Sequence, residues 1–573
     1  MQSIFSGCGA LCAAFFFVAA SAQTPTSGEQ SESQQLRQQE RELQRRQQLE
    51  PQPDVRLQPT VAEPVLRFPS DETPCSLIER VLLAGEMSNQ FADLLTAADI
   101  AGDGSRDAIK GRCIGTAGIS VVIRRLQNEL VRRGFVTTRV LVAPQDLTHG
   151  VIGVTLIPGR IRNIRFTETT SMRATTWNAI PMRAGDLLNL REIEQALENL
   201  KRVPTVDAEI RIVPADSLDA TPGYSDIVIE WRQKFPFRLN LSADNSGLES
   251  TGRYQGAFTL SYDHALTLND LFYVSVNNSL FTNAPSPSGT NGKTLHYSLP
   301  FGHWLVAATT SSNQYRQPIA SVIGTTIYSG ESSNHELKLS RVLARDANSK
   351  TSAYLSVWSK QSHNYIGDVE MVVQRRQLGG WEAGWARRQI LGAATLDLNA
   401  GYRRGTGAFG SQRRVNEDME GSSRPQIIQL GALYNLPFVF ASQRMRYTLA
   451  VRAQHAGRSL LPQDRFSLGS RFSVRGFDEQ RILSADEGWL VRNDLGVSLG
   501  GSGQEAYLGL DYGELHGRHS DQLLGKHLAG MALGIRGGAY GLTYDLFAGR
   551  ALSAPVGFSA QGLNVGFSVS WSY

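Results

Sequence analysis

The sequence predicts a C-terminal transmembrane β-barrel of about 16 antiparallel strands, preceded by two copies of a β-α-α-β-β unit and by a polar N-terminal helix. Three observations lead to this prediction. Residues 563–573 alternate apolar with small or polar side chains, residues 74–234 repeat one order of strands and helices, and no run of 18 apolar residues follows residue 22. Without such a run, a membrane-embedded mature chain would have to cross the bilayer as a closed barrel.

Residues 1–22 resemble a secretory signal peptide. The apolar run Ala10–Ala20 is too short to span a bilayer, and Ala20-Ser21-Ala22 supplies an A-x-A cleavage site. The segment before the apolar run departs from the usual pattern because it has no Lys or Arg. We expect cleavage after residue 22 and export of the mature chain; the alternative is a buried N-terminal helix.

Residues 23–50 are rich in Gln, Glu and Arg, and they predict a helix with a polar surface all round. Such a helix cannot bury itself in an ordinary apolar core, so it is either a solvated tether or a helix that occupies a water-filled cavity. Residues 51–73 contain several prolines and predict an extended linker.

Two consecutive units, residues 74–159 and 160–234, show the order β-α-α-β-β, which makes an internal repeat. The elements of the first unit are strand Ile78–Leu83, helices Phe91–Ala98 and Ile119–Arg133, and strands Val136–Val142 and Val151–Ile157. Those of the second are strand Ile161–Phe166, a helical region around Met172–Ile180, helix Leu190–Arg202, and strands Val206–Val213 and Asp226–Trp231.

Two cysteines remain after the predicted signal, Cys75 and Cys113. An even pair in a chain that has been exported to an oxidising compartment predicts a disulfide. Two cysteines without nearby histidines at ligand spacing make a poor metal site, so we predict no metal here.

Residues 235–573 consist of short alternating segments separated by loops rich in Gly, Asn, Ser and Asp. At about 20 residues for a strand and its loop, this region accommodates roughly 16 strands. In the last strand the apolar residues that alternate with small ones are Phe567, Val569, Trp571 and Tyr573, and we expect them to face lipid.

Composition and motifs favour neither an enzyme nor a nucleic-acid binder. The formal net charge is only +4, with 57 basic and 53 acidic residues, so it gives no argument for a nucleic-acid partner. The chain contains none of the common zinc-protease, nucleophile-elbow or Cys-x-x-Cys motifs, and "NGKT" at 291–294 lacks the first glycine of a phosphate-binding loop. We therefore predict no catalytic residues and no cofactor.

The whole arrangement resembles the POTRA-plus-barrel superfamily and, within it, the outer-membrane transporters of two-partner secretion (TpsB type; the haemolysin, haemagglutinin and contact-toxin secretion and activation proteins). The stretches that carry the resemblance are "PCSLIERVLLAG" (74–85), "GFVTTRVLVAPQDLTHGVIGVTLIPGRIRNIRF" (134–166), "LSADNSG" (241–247), "GRYQG" (252–256), "LNDLFYVSVN" (268–277), "RFSVRGFDE" (471–479) and "LGLDYGE" (508–514).

The resemblance implies an outer-membrane location with two periplasmic POTRA domains. These would bind the N-terminal secretion domain of one large β-helical exoprotein, which the barrel would export without ATP; the family name implies activation of the exoprotein as a second role. Residues 29–49 would form a helix that plugs the pore. Outer-membrane lipid and the barrel-assembly machinery are further implied partners, the latter recognising the C-terminal strand.

The resemblance also assigns a role to Val474, Arg475, Gly476 and Phe477. In the family, the loop that carries this motif folds into the barrel, and its Arg pairs with an Asp of a neighbouring strand; Asp511 is at that position. Strand alternation agrees, because Leu508, Leu510 and Tyr512 share one face and Asp511 lies on the other. We therefore expect an ion pair between Arg475 and Asp511 inside the barrel.

Two other functions remain open at this point. One is a barrel-assembly insertase of the same superfamily, although insertases usually carry more POTRA units and lack the polar helix. The other is a passive porin or an adhesin barrel, which would not explain the duplicated periplasmic unit or the Arg475 loop.

Overall fold

The computed structural model describes residues 27–50, 53–57, 67–215, 223–281, 288–321, 324–411, 421–478, 480–501, 503–518, 520–558 and 562–573. The predicted signal peptide, residues 1–22, and much of the predicted linker lie outside these residues. Helix α1 spans Ser27–Leu49, and its Gln, Glu, Arg and Leu residues are strong helix formers. Among the described helices, none combines the length and the apolar character needed to cross a membrane.

The first POTRA domain packs one long helix and a 3-10 helix against a small sheet. Its three-stranded sheet has the order β2-β5-β4, and β1 and β3 form a separate ladder. Its elements are β1 (Ser76–Ile78), β2 (Arg80–Gly85), the 3-10 helix Ser88–Asp99, β3 (Arg112–Ile114), α2 (Thr116–Arg132), β4 (Arg139–Leu141) and β5 (Val151–Ile157).

Two details of this domain differ from the sequence prediction. The single strand expected at Ile78–Leu83 is two strands, because the chain changes partners at Glu79: the N–H groups of Glu79 and Arg80 both donate to the Gly150 carbonyl, at 2.8 and 3.3 Å. The short helix expected at Phe91–Ala98 is a 3-10 helix, and it is kinked at Phe91.

A buried carboxylate, Asp107, joins the parts of this domain. It accepts hydrogen bonds from the Phe68 N–H (3.0 Å) and from Arg125 Nη2 (2.5 Å), and Arg112 Nη2 lies 2.7 Å from its second oxygen. Burial by itself would raise the pKa of Asp107, but the Phe68 N–H and the two guanidinium groups outweigh it and hold this pKa below its ordinary value.

The second POTRA domain has a three-stranded sheet of order β6-β8-β7 and one helix packed against it. Its core includes Ile161, Leu197, Ile227 and Trp231, all buried. Its elements are β6 (Arg160–Phe166), α3 (Leu190–Leu200), β7 (Val206–Pro214) and β8 (Tyr224–Gln233).

The helix predicted around Met172–Ile180 is wrong, because these residues form turns. Hydroxyls just before this stretch bond locally, with Thr167 Oγ1 2.9 Å from Thr170 Oγ1. Asn178, inside the stretch, donates instead to the carbonyls of Leu268 (2.5 Å) and Pro300 (3.1 Å) in the barrel. The segment is thus part of the contact between the second POTRA domain and the barrel.

Strands β9 to β27 follow, and sixteen of them close into one antiparallel barrel, as predicted. The remaining three are short: β16 extends the edge of β15, and β21 and β22 pair with each other. The strands are β9 (Phe237–Asp244), β10 (Tyr254–Asp263), β11 (Leu271–Phe281), β12 (Gly289–Phe301), β13 (Trp304–Ser321), β14 (Gly324–Arg345), β15 (Ser349–Ile366), β16 (Val369–Glu370), β17 (Arg376–Leu391), β18 (Ala394–Thr406), β19 (Gln426–Phe440), β20 (Gln443–Ala456), β21 (Phe466–Leu468), β22 (Leu483–Ala485), β23 (Glu487–Leu499), β24 (Gln504–His516), β25 (His527–Ala539), β26 (Leu542–Ser553) and β27 (Asn564–Ser572).

The two ends of the barrel differ in their connections. At the end that carries the POTRA domains, which is the periplasmic end, most connections are tight turns, such as residues 302–303, 392–393 and 540–541. At the opposite end most connections are longer, and the longest, residues 457–486, joins β20 to β23. The barrel closes where β27 pairs with β9, through Ser568–Ser572 against Asn240–Asp244.

Candidate functional site in the barrel interior

Residues 457–486 fold back into the barrel, where they pack against the wall and against α1. Strands β21 and β22 form the base of this loop, and residues 471–478 form its tip. Val474 and Phe477 are buried in an apolar cluster with Leu468 and Leu515, and the ring of Phe477 lies 5.7 Å from that of Phe558 in an edge-to-face contact. The apolar residues of the tip therefore have partners inside the barrel.

Arg475 is held by Asp511 of β24 through three hydrogen bonds. Its Nε donates to Asp511 Oδ2 at 2.7 Å, its Nη2 donates to Oδ1 at 2.7 Å, and its backbone N–H donates to Oδ2 at 3.0 Å. The side chain of Arg475 is 3% exposed and that of Asp511 is fully buried. Such a bidentate pair fixes both the charge and the orientation of the guanidinium group.

A second carboxylate, Asp494 of β23, completes the site, although no sequence motif pointed to it. Its Oδ1 accepts from Arg475 Nη2 at 2.5 Å, and its Oδ2 accepts from Arg536 Nη1 at 3.1 Å. Arg536 in turn binds Glu505 at 2.6 Å. The alternation of β23 does place Asp494 on the lumenal face. Its position opposite Gly509, close to Asp511, becomes known only from the register between β23 and β24.

Two glycines make room for the tip. Gly476 has a φ of +102°, a conformation that L side chains rarely adopt, and a Cβ there would overlap the carbonyl of Arg550. A Cβ on Gly509 would overlap the guanidinium group of Arg475. Both positions are therefore shaped to let the tip lie directly against the barrel wall.

Helix α1 lies inside the barrel and contacts the wall at several points from Gln34 onward. One end reaches the extracellular side, where Thr251 Oγ1 donates to Gln34, and the other reaches the periplasmic side, where Tyr273 OH donates to Glu50 just past the helix. Between them lie Glu40, which accepts from Ser470 of the inward-folded loop at 3.1 Å, and Arg46, which binds Glu336 at 3.0 Å. The polar helix surface that the sequence shows is matched by a polar lumen, and the helix fits a plug.

A cavity of about 820 Å³ remains between α1 and the wall on the side of the β27–β9 closure. Its lining combines apolar residues such as Phe438 and Val439 with charged ones, namely Arg41, Arg45, Asp244, Arg446, Glu505 and Arg536. Charged groups of both α1 and the wall therefore face the space that α1 leaves unfilled.

The other residues singled out from the sequence lie elsewhere. Cys75 and Cys113 form a disulfide with a Cα–Cα distance of 5.2 Å in the first POTRA domain. Phe567, Val569, Trp571 and Tyr573 lie along and just past β27, on the face that also presents the exposed Leu241 of β9. Of these residues, Phe567 meets the loop tip, where its carbonyl accepts a hydrogen bond from Arg471 Nη1 at 3.1 Å.

Edge strands of both POTRA domains are available for pairing. Within the described residues, β2 pairs only with β5, and β7 pairs only with β8. Leu82 of β2 is 46% exposed, and Asp207, Glu209 and Arg211 of β7 are exposed. An extended chain could add to either edge through backbone hydrogen bonds.

This combination of two POTRA domains, a sixteen-strand barrel, a plug helix and an inward-folded loop defines an outer-membrane transporter of two-partner secretion, with its POTRA domains in the periplasm. Residues 223–537 match the model of the haemolysin secretion/activation protein family ShlB/FhaC/HecB. Residues 105–159 match the ShlB-type POTRA domain, and residues 160–214 match a POTRA domain. The chain belongs to the ShlB/FhaC/HecB family.

Individual relatives with similar sequences or structures are also outer-membrane or hemolysin transporters. The chain is 34% identical over 575 residues to the outer membrane transporter CdiB-2 of Burkholderia pseudomallei (strain 1026b), with 96% of each chain covered. It is 25% identical to the hemolysin transporter protein ShlB of Serratia marcescens over 80% of this chain and 79% of the other. Among solved structures, CdiB from Acinetobacter baumannii superimposes with a TM-score of 0.82 at 31% identity, covering 96% of this chain and all of that one.

Proposed function

We propose that this transporter exports one cognate, large β-helical exoprotein of the cytolysin, adhesin or contact-toxin type, and that it does so without ATP. The POTRA domains bind the N-terminal secretion domain of the exoprotein in the periplasm, and the barrel conducts the unfolded chain outward. The observation that carries the proposal is the lumen with its polar groups, in which α1 occupies space that an extended chain could take.

The chemistry of each step follows from the described surfaces. The open edges of β2 and β7 offer backbone groups, so they can hold an extended client with little demand on its sequence. Polar groups lining the cavity replace water around a passing backbone. Folding of the exoprotein on the far side prevents its return, which gives transport a direction without nucleotide hydrolysis.

In this proposal the Arg475–Asp511 pair holds the inward-folded loop in the conformation that permits export. The C-terminal strand, with Phe567, Val569, Trp571 and Tyr573 on one face, serves as the signal for the barrel-assembly machinery and afterwards faces outer-membrane lipid. The disulfide of the first POTRA domain stabilises the client-binding module.

The test is reconstitution. The purified transporter is placed in lipid vesicles with its POTRA domains outside, and the exoprotein encoded beside its gene is added unfolded, without nucleotide. We expect the exoprotein to become protected from external protease, and not to do so with vesicles that lack the transporter. If protection of the exoprotein required ATP, or if no protection occurred although the same transporter and exoprotein support secretion in cells, the proposed ATP-independent transport would be wrong. If the product of the neighbouring gene were never secreted, it would not be the client of this transporter.

A further inference from the structure

Residues 53–57 run in an extended path between the second POTRA domain and the periplasmic rim of the barrel; we call them the strap. Val55 and Leu57 are half-buried and pack against the core of the second POTRA domain. The residues that alternate with them, Asp54 and Arg56, contact the barrel: Arg56 Nη1 donates to the Ala347 carbonyl at 2.9 Å, and Asp54 lies 3.6 Å from Arg388. The strap thus touches both bodies at once.

Two buried carboxylates of α3 bind the backbone of the strap. The Val55 N–H donates to Glu198 Oε1 at 3.1 Å, and the Leu57 N–H donates to Glu194 Oε1 at 2.8 Å. Glu194 and Glu198 are one helical turn apart, and their side chains are 0% and 5% exposed. Two like charges so placed repel each other, so both need cationic partners.

Arg345, at the periplasmic end of β14, is a cationic partner of both carboxylates. Its Nε donates to Glu194 Oε2 at 2.9 Å, and its Nη2 donates both to Glu198 Oε1 and to the Val55 carbonyl, each at 2.6 Å. Lys350 also pairs with Glu198, and Arg191 pairs with Glu194 at 2.5 Å. One guanidinium group therefore joins the barrel, the second POTRA domain and the strap.

We propose that Glu194, Glu198 and Arg345 are positioning residues for the plug: they clamp the strap, and the clamped strap keeps α1 in the lumen. The inference rests on the proposed function in that α1 must leave for the exoprotein to pass. Helix α1 ends at Leu49 and the strap begins at Pro53. Four residues reach at most about 14 Å, whereas a helix of 23 residues is about 35 Å long. The helix cannot vacate the barrel while the strap is held.

The main test removes the two N–H donors without changing a charge. Proline at both positions, Val55→Pro with Leu57→Pro, leaves no strap N–H to donate to Glu198 and Glu194, while their side-chain partners Arg345, Lys350 and Arg191 are unchanged. Proline itself favours an extended backbone. The matched control, Val55→Ala with Leu57→Ala, shortens the same side chains but keeps both N–H groups.

The position of α1 is read from thiol labelling. Gln34 is 1% exposed in the lumen, and Cys75 and Cys113 are paired, so a Gln34→Cys background reports the release of the helix by its rate of reaction with a maleimide. We expect the proline pair to raise this rate at least tenfold and the alanine pair to raise it less than threefold. Equal rates in the proline pair and the parent, or equal effects of the two pairs, would overturn the proposal.

A second set of variants addresses the cluster. Arg345→Gln should raise the labelling rate at least tenfold, whereas Arg211→Gln, on the exposed edge of the same POTRA domain, should leave it unchanged. The exchange Arg345→Glu with Glu198→Arg keeps one ion pair but puts a cation at the Val55 N–H, so it should not restore slow labelling. Slow labelling in the exchanged variant would show that docking of the POTRA domain, not the strap, retains the helix.

Two controls separate this inference from others. The heat-dependent gel mobility of the folded barrel shows that each variant has assembled, and the proline pair alters no barrel residue. Labelling needs no exoprotein, so unchanged labelling alongside normal secretion would overturn the strap and leave the transport proposal intact.

Discussion

Replacing Arg475 with alanine is expected to undock the loop tip and to abolish most secretion. The substitution leaves Asp511 fully buried, with Arg492 Nε 3.9 Å from its Oδ1, and it also leaves Asp494 without its 2.5 Å partner. Removing one member of a buried pair costs about 3–5 kcal/mol. Even the lower figure changes the ratio of docked to undocked loop by about 100-fold.

The assay is secretion of the exoprotein into the medium, measured together with the amount of folded barrel in the outer membrane. Arg475→Ala and Asp511→Ala should each secrete little while the folded barrel remains, whereas Arg404→Ala, at an exposed arginine of the same barrel, should secrete normally. Normal secretion by both single variants would refute the role of the pair.

The structure also changes what a charge exchange should show. In Arg475→Asp with Asp511→Arg, the new carboxylate would face Asp494, which lies 2.5 Å from the native guanidinium group. We therefore expect little rescue by the exchange alone and greater rescue when Asp494→Asn is added. Full rescue without the third substitution would mean that Asp494 does not take part in holding the tip.

Three further predictions concern other parts of the chain. Replacing Cys75 and Cys113 with serine should lower the unfolding free energy of the first POTRA domain by about 4 kcal/mol, because the disulfide joins cysteines 38 positions apart in the chain. Urea titration of the purified transporter, with protease cleavage in that domain as the readout, measures this difference. The pKa of Asp107 in the folded protein lies below its unfolded value of about 3.9, so the carboxylate stabilises the domain fully above about pH 3.9 and this stabilisation is lost as the pH falls through the folded pKa. In Asp107→Asn, the unfolding free energy should therefore fall less steeply between about pH 5 and pH 2 than in the parent protein. Deleting Tyr573 removes two backbone hydrogen bonds across the barrel closure and should reduce the yield of heat-modifiable barrel, whereas Tyr540→Ala, at a fully exposed turn, should not.

Most of the fold could be predicted because each element carries a local pattern. The alternation at period two gave the barrel and its strand count, and the repeated unit gave both POTRA domains. The helix expected at Met172–Ile180 could not be excluded locally, because its backbone is bent by contacts that Asn178 makes with the barrel about 90 and 122 residues away along the chain. Tertiary partners of that kind override propensity.

The residues of the candidate site likewise divide into those that a local pattern predicts and those that depend on tertiary partners. The role of Asp511 could be predicted from strand alternation together with a family resemblance, since both depend on a single strand. The roles of Asp494 and of the carboxylates of α3 could not be predicted, because they depend on which strand lies beside β24 and on where the linker passes. Glu194 and Glu198 look like solvent-facing residues of an amphipathic helix until the strap and Arg345 are placed over them.

The two elements that fill the lumen are held with different strengths, and this sets the order in which they can move. Among the described contacts of α1 with the wall, the ion pair of Arg46 with Glu336 has side chains 19% and 25% exposed, and such partly hydrated pairs contribute about 0–1 kcal/mol. The tip of the loop is held by a pair whose side chains are 3% and 0% exposed, with a cost of several kcal/mol on breaking. The helix therefore depends on its strap for retention, whereas the loop does not. Release of the strap should let the helix leave the lumen while the loop stays docked.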